Sequence, residues 1–241
     1  DNSVEVLAQF KRNTPGFDFV SLGKLDTTHP IRTDRIALCR NQYLERLADP
    51  AYAGVDYVLI ADLDGINRDL TAEAIASCWR SSLPWSVVCA NQGDRYYDIW
   101  ALRHPVWCPG DCMREAEALA PLFGREQARA FAVTARKLHI EPTAAWIEVE
   151  SAFGGLGIYR RDALLGGRYR GIDDTGKPLC EHVPMHAGLR VQGHRIFINP
   201  ALINTLHAPH TGKKGLRVRA LRKLEATGDR LRARWDELRG R

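Results

Sequence analysis

The chain has 241 residues, 45% of them hydrophobic and 26% charged, which is enough to close one full core, most simply as a single domain with a C-terminal appendage. No stretch approaches the roughly 20 apolar residues that cross a bilayer, and the first residues lack the basic-then-apolar pattern of a secretory signal, so the expectation is a cytoplasmic protein. The net charge of +5 is uneven: residues 213–241 carry eleven Lys or Arg against four Asp or Glu, leaving residues 1–212 at −2, so a body that binds nucleic acid through a basic face is not expected.

The predicted elements alternate between helix and strand, which is the pattern of an α/β fold. Residues 2–12 read as a helix, 17–22 as extended, and 33–48 as a helix with Ile36, Leu38, Tyr43, Leu44 and Leu47 as its apolar positions. A strand follows over 55–61, a helix entered through Thr71 and Glu73 over 71–80, and a short apolar strand over 85–90. Residues 113–138 predict one or two helices interrupted near Pro121 and Gly124, in an inserted or peripheral segment. Glycines mixed with apolar residues over 152–159 lead into a short helix at 161–165, a loop over 166–177, a helix over 182–192, and a strand over 195–198 closed by Asn199-Pro200.

In the tail, Leu221, Leu224, Leu231, Trp235 and Leu238 recur at helical intervals with arginines between them, predicting a basic amphipathic helix. Such a helix suits an anionic membrane surface, which would make the protein peripheral on the inner membrane face, or packing on its own domain or a second copy. The six cysteines form neither a CxxC pair nor a zinc-ligand spacing and read as reduced thiols, including Cys108 and Cys112 on either side of a Pro-Gly-Asp turn.

The chemistry concentrates where the strand over 55–61 ends in Asp62-Leu63-Asp64. Side chains alternate along an extended chain, so Asp62 and Asp64 emerge on one side and can share a divalent cation. Open α/β sheets bind ligands outside the carboxyl ends of their strands, and a cation there can neutralise a departing diphosphate.

With the blocks around it, Asp62-Leu63-Asp64 resembles the DxD motif of nucleotide-sugar-dependent glycosyltransferases of the GT-A fold, and the similarity covers most of residues 1–212 in the order of that fold. Residues 32–41, carrying Arg32, Arg35, Arg40 and Asn41, resemble the arginine-bearing helix before the DxD strand. Phe153-Gly154-Gly155-Leu156-Gly157 resembles the glycine-rich acceptor-side segment. Cys180-Glu181-His182 stands where many members carry an acidic pair, with His182 in place of the usual aspartate. His207-Ala208-Pro209-His210-Thr211-Gly212-Lys213 resembles a segment that closes over the diphosphate, His210 fitting the ligand role better than His207 because Gly212 and Lys213 follow it. Asp1-Asn2-Ser3 resembles the end of the first nucleotide-binding strand, and the missing apolar strand before it sets the expectation of a chain truncated at its start.

The resemblance implies a GT-A mixed sheet flanked by helices over 1–212, followed by a basic helical tail over 213–241. It implies Mn2+ (or Mg2+) held by Asp62, Asp64 and His210. The nucleotide-sugar donor would meet Arg32, Arg35, Arg40, Asn41, Asp62, Gly212 and Lys213, and the acceptor would be a glycan or lipid-linked hydroxyl. Acceptor or sugar contacts would fall to Tyr97, Asp98, Trp100, Arg103, Gly154, Gly155 and His182, and proton removal to Glu181 or, second, Glu150.

The residues taken by themselves leave alternatives open. Arg32, Arg35 and Arg40 serve either phosphate or salt bridges to Asp34 and Glu45, and Asn41 either the nucleotide or a neighbouring loop. Tyr97 and Trp100 suit a pyranose face or the core, and Gly154 and Gly155 a tight bend or close approach to a sugar. A sugar nucleotidyltransferase is a rival, but its glycine-rich basic loop is absent from the sequence. A non-enzymatic membrane or nucleic-acid module using the tail is another. A zinc hydrolase built on His182 and His186 lacks the HExxH glutamate, since Val183 follows the first histidine.

Overall fold

The run Val87–Gln92 (β2) is buried at every position, as a strand covered on both faces requires. The computed structural model, which describes residues 2–208, places β2 in the middle of a five-stranded sheet of an α/β fold. Its neighbours are Leu156–Arg160 (β4), antiparallel, and Ile196–Thr205 (β5), parallel. Tyr57–Ala61 (β1) lies outside β4 and Ile147–Val149 (β3) outside β5, both antiparallel to those neighbours, giving the mixed order β1-β4-β2-β5-β3. The carboxyl ends of β1, β2 and β5 therefore share one end of the sheet, and β4 begins there.

Side chains of β2 divide by alternation. Val87 and Cys89 join the larger core cluster with Tyr159, Ile196 and Ile198, while Val88 and Ala90 join a smaller one with Ile158, Phe197 and Leu202. Arg32–Leu47 (α2) buries Thr33, Ala37, Asn41, Leu44 and Leu47, a single stripe at spacings of three and four. Ala72–Ala76 (α3) starts at Thr71, whose hydroxyl accepts from the Ala74 amide at 3.1 Å. Ser3–Asn13 (α1) buries none of its residues.

Cys112–Phe123 (α4) is capped by Asp111, whose Oδ1 accepts from Met113 and Arg114 amides at 2.9 and 3.2 Å, and Arg125–Ala132 (α5) follows after Gly124 at φ 80°. The break is at Gly124; Pro121 is carried inside α4. These helices are not merely peripheral, because Cys112 and Ala132 belong to the larger core cluster. Arg161–Leu165 (α6) and His182–Val191 (α7) complete the helices among the described residues.

The assembled sheet adds to the sequence reading and in one place corrects it. Residues 17–22 pair with no strand, and β1 is an edge of the sheet among the described residues. Asn199-Pro200 does not close β5, which continues to Thr205; proline suits an extended backbone, and the ladder shifts register there while Asn91 Nδ2 donates to the Pro200 carbonyl at 3.0 Å. The three-residue β3 has too short an apolar pattern to be predicted. All six cysteines are free. The tail over 213–241, with its predicted helix, lies outside the described residues.

Candidate active-site cleft

At the carboxyl end of β1 the Asp62 amide donates to Gly155 O at 2.9 Å, extending the pairing with β4 by one residue. Beyond the strand, Asp62, Leu63 and Asp64 all line one cleft of about 370 Å³, Leu63 being 95% exposed. The two aspartates share the cleft, but they lie past the end of β1, where strand alternation no longer applies. Tyr97, Asp98 and Trp100, which follow β2, line the same cleft, as do Phe153 before β4 and Cys180, Glu181 and His182 at the start of α7.

Arg40 reaches this cleft from α2 and bridges two of its acids, donating from NH2 to Asp62 Oδ1 at 2.7 Å and from Nε to Glu181 Oε1 at 3.0 Å. Its guanidinium carbon lies 4.9 Å from the Phe153 ring centroid. Burial works against the charge of Arg40, but Tyr43, Asp62 and Glu181 outweigh it and hold its pKa above the ordinary value. The predicted salt bridges to Asp34 or Glu45 are thus replaced by a bridge between cleft carboxylates.

The remaining members of the predicted donor-binding set separate. Arg32 is exposed on the rim of the cleft and forms no ion pair among the described residues. Arg35 donates to the His29 and Pro30 carbonyls at 2.7 and 2.8 Å, securing the loop before α2. Asn41 is buried and exchanges two 3.0 Å hydrogen bonds with the Tyr169 backbone, which selects the loop-holding alternative. Gly212, Lys213 and His210 lie outside the described residues.

Asp98 accepts from the Gly154 amide at 3.0 Å, and its pKa is pushed up to about 6. Burial is the main cause, the charges of Glu181 and Asp62 add to it, and the Gly154 and Ala101 amides oppose it. Burial also raises the Tyr97 phenol, helped by Asp98, Asp62 and Asp64. Trp100 Nε1 donates to Asp111 Oδ2 at 3.2 Å, and Arg103 pairs with the same oxygen at 3.0 Å while donating to the Trp100 and Leu102 carbonyls. Arg103 thus braces the wall behind Trp100 and is not among the groups lining the cleft.

Glu150 is also placed elsewhere. Val149 pairs with Ile196 at the far end of the sheet, so residues 150–155 must run back along the sheet to reach Leu156 beside Ala61. The Glu150 carboxylate starts that path, 3.3 Å from Arg190, and does not line the cleft. Gly154 and Gly155 adopt φ values of 67° and 84°, and a Cβ on them would stand 2.7 Å from Ala90 O and 2.6 Å from Ile66 Cγ2. Protein atoms occupy the space beside both, so their shape is required by a tight bend rather than by a sugar.

Sequence reasoning missed the amides that fix this end of the sheet. Asn67 Nδ2 donates to the Asp62 and Gly155 carbonyls at 2.7 and 2.9 Å. Asn204 Nδ2 donates to Asn67 Oδ1 and Gly154 O, both at 2.8 Å, and Gln92 Nε2 donates to Gly154 O and Asn204 Oδ1, both at 3.1 Å. Gln92 and Asn204 are fully buried. The available signal was an amide at the end of an otherwise apolar strand, where a buried polar group must have a structural partner.

No protein-family model matches the chain, and no curated protein matches it.

Function has therefore to come from the site's own chemistry. Asp62, Asp64, Asp98 and Glu181 bring four carboxyl groups to one cleft, with Arg40 as the half-buried cation among them and Arg32 at the rim. No cluster of three or more His, Cys, Asp or Glu side chains suited to a metal occurs among the described residues. Two carboxylates are nevertheless a sufficient protein share for a hard cation that also takes water and substrate phosphate oxygens. Among the described residues no helix is long and apolar enough to cross a membrane.

Proposed function

We propose that the protein is a metal-dependent glycosyltransferase of GT-A type, moving a sugar from a nucleotide-sugar donor to the hydroxyl of a glycan or lipid-linked acceptor. The observation that carries this reading is the meeting of Asp62 and Asp64 with Asp98 and Glu181 in one cleft at the carboxyl end of β1, an excess of acid that favours a cation. Asp62 and Asp64 would hold Mn2+ (or Mg2+), which when bound supplies positive charge to the departing diphosphate.

The chain's own groups account for the remaining requirements. Arg40 fixes Asp62 and Glu181 relative to each other, so the donor and acceptor sides of the cleft move as one unit. Tyr97 and Trp100 offer ring surface to the apolar side of a pyranose. Glu181 is tied to Arg40, whereas Asp98, with a pKa pushed up to about 6, is better matched to accept a proton near neutral pH. Asp98 therefore joins Glu181 as a candidate base if the anomeric centre is inverted.

The test is release of nucleoside diphosphate from UDP-glucose, UDP-N-acetylglucosamine, GDP-mannose and dTDP-rhamnose, with Mn2+ or with EDTA. At least one donor is expected to be turned over with Mn2+ alone, and Asp64→Ala to lower that rate by about 100-fold or more. Turnover unchanged by EDTA, or none with any donor, would contradict the proposal.

A further inference from the structure

The ladder of β1 with β4 ends at Ala61 opposite Leu156, and that of β2 with β5 ends at Gln92 opposite Thr205. Beyond those pairs three side-chain amides in series hold the backbone. Asn67 Nδ2 donates to the Asp62 and Gly155 carbonyls, Asn204 Nδ2 to Asn67 Oδ1 and Gly154 O, and Gln92 Nε2 to Asn204 Oδ1 and Gly154 O. Gln92 Oε1 then accepts from the Tyr97 amide at 3.2 Å. Each NH2 group thus has two acceptors and each amide oxygen a donor. No member can flip without setting its oxygen against a carbonyl oxygen, so the series runs in one sense and fixes its parts relative to one another.

The two ends of this series are the two stretches that carry acids into the cleft. At one end, the bond from Asn67 to the Asp62 carbonyl closes the loop 62–67, which Ile66, 2% exposed, anchors in the core while its amide donates to Asp64 Oδ1 at 3.2 Å. At the other end, Tyr97 leads directly into Asp98. We propose that Asn67 is a positioning residue for the cation site, and that Asn204 and Gln92 complete a relay that sets the Asp62 and Asp64 pair against Asp98. The assignment rests on the glycosyl-transfer reading, in which Asp62 and Asp64 hold Mn2+ (or Mg2+). Asn67 acts through the peptide carbonyl of Asp62, and Asn204 orients Asn67 from the end of β5. Groups that hold metal ligands in place typically cost roughly 10- to 100-fold in metal affinity when removed.

Mn2+ titration of the full chain with UDP or GDP present, well below the melting temperature, tests this on Asn67→Ala and Asn67→Asp. The second keeps the size of the side chain and its acceptor for Asn204 but sets a carboxylate oxygen against two carbonyls. Both are expected to weaken Mn2+ binding by about tenfold or more. If Asn67 were only a neighbour of the site, an added acid would tighten the cation, so tighter binding by Asn67→Asp overturns the assignment. Asn199→Ala is the control for mere destabilisation, since Asn199 is a buried amide that donates to Ser77 Oγ at 2.8 Å and to no cleft residue. It is expected to melt lower than wild type while keeping Mn2+ affinity within about twofold. Asn67→Ser replaces either Asn67 variant should it not fold. Undiminished Mn2+ binding by the Asn67 variants, or an equal loss in Asn199→Ala, in a wild type that binds, overturns the assignment of Asn67 alone. A wild type that leaves Mn2+ free with either nucleotide overturns the glycosyl-transfer reading and this assignment with it.

Discussion

Arg40 is the residue on which the cleft's geometry turns. Its side chain is 13% exposed and the Glu181 side chain 8%, so the pair is a nearly dry ion pair, with Asp62 as a second, more open acceptor. Removing one partner of a buried pair costs much more than the pair's net contribution, because the remaining charge is stranded. Arg40→Met is therefore expected to lower the unfolding free energy by about 3 kcal/mol or more in urea titration. Arg40→Met combined with Glu181→Gln should recover part of that loss, and additive losses would show that the two side chains are not coupled. At this scale the sequence was legible for Asp62 and Asp64, because two residues so close along the chain at a strand's end reach the same cleft. It was not legible for Arg40, whose partners lie 22 and 141 residues away. Helical spacing put at least two of Arg32, Arg35 and Arg40 on one face, yet one lies at the rim, one ties down a loop and one bridges acids.

At the scale of elements, the bend at Gly154 and Gly155 connects the cleft to the sheet. Gly155 O accepts from the Asp62 amide, and Gly154 N donates to the Asp98 carboxylate, so two cleft acids are positioned from adjacent residues. Gly154→Ala would place a methyl 2.7 Å from a backbone carbonyl at a positive φ, and neither strain can relax cheaply. The expected cost is about 2 kcal/mol, read in urea, together with weaker Mn2+ binding because Asp62 and Asp98 are displaced. Unchanged stability and metal affinity would show that the bend is not what positions them. The sequence marked these glycines as special but not why, since a bend and a close approach to ligand demand the same φ. The helix α2 was readable from apolar spacing. The continuation of β5 through Asn199-Pro200 was not, because it depends on the partner Asn91.

For the whole molecule, the buried titratable groups set how stability depends on pH. Burial lowers His186 to about 3 and His182 well below its usual value, with Arg40 and His186 adding to the latter. Both folded values lie below the unfolded one near 6.5, so their contribution is present above that pH and is lost as protons bind the unfolded chain on acidification. Asp98 has the opposite sign: its raised pKa makes its charged form costly above about 6, a cost relieved as pH falls toward 4. Between pH 6 and 4 two histidines act against one aspartate. In EDTA, unfolding free energy is therefore expected to fall by roughly 1 kcal/mol per pH unit over that range, and His182→Phe to flatten the slope. A slope that rises on acidification would contradict the assigned environments. The α/β class and the order of its main elements were readable from periodicity, whereas the mixed strand order and the return of residues 150–155 along the sheet, which removes Glu150 from the cleft, are properties of the assembled sheet.

The most direct test of the whole account is Mn2+ titration followed by the electron paramagnetic resonance signal of the free ion, on wild type, Asp62→Ala and Asp64→Ala, with and without UDP or GDP. The account predicts one bound ion per wild-type chain, tighter binding when the matching nucleoside diphosphate is added, and loss of both effects in each variant. Mn2+ left free by the wild type in the presence of either nucleotide, or bound equally well by the variants, would contradict it.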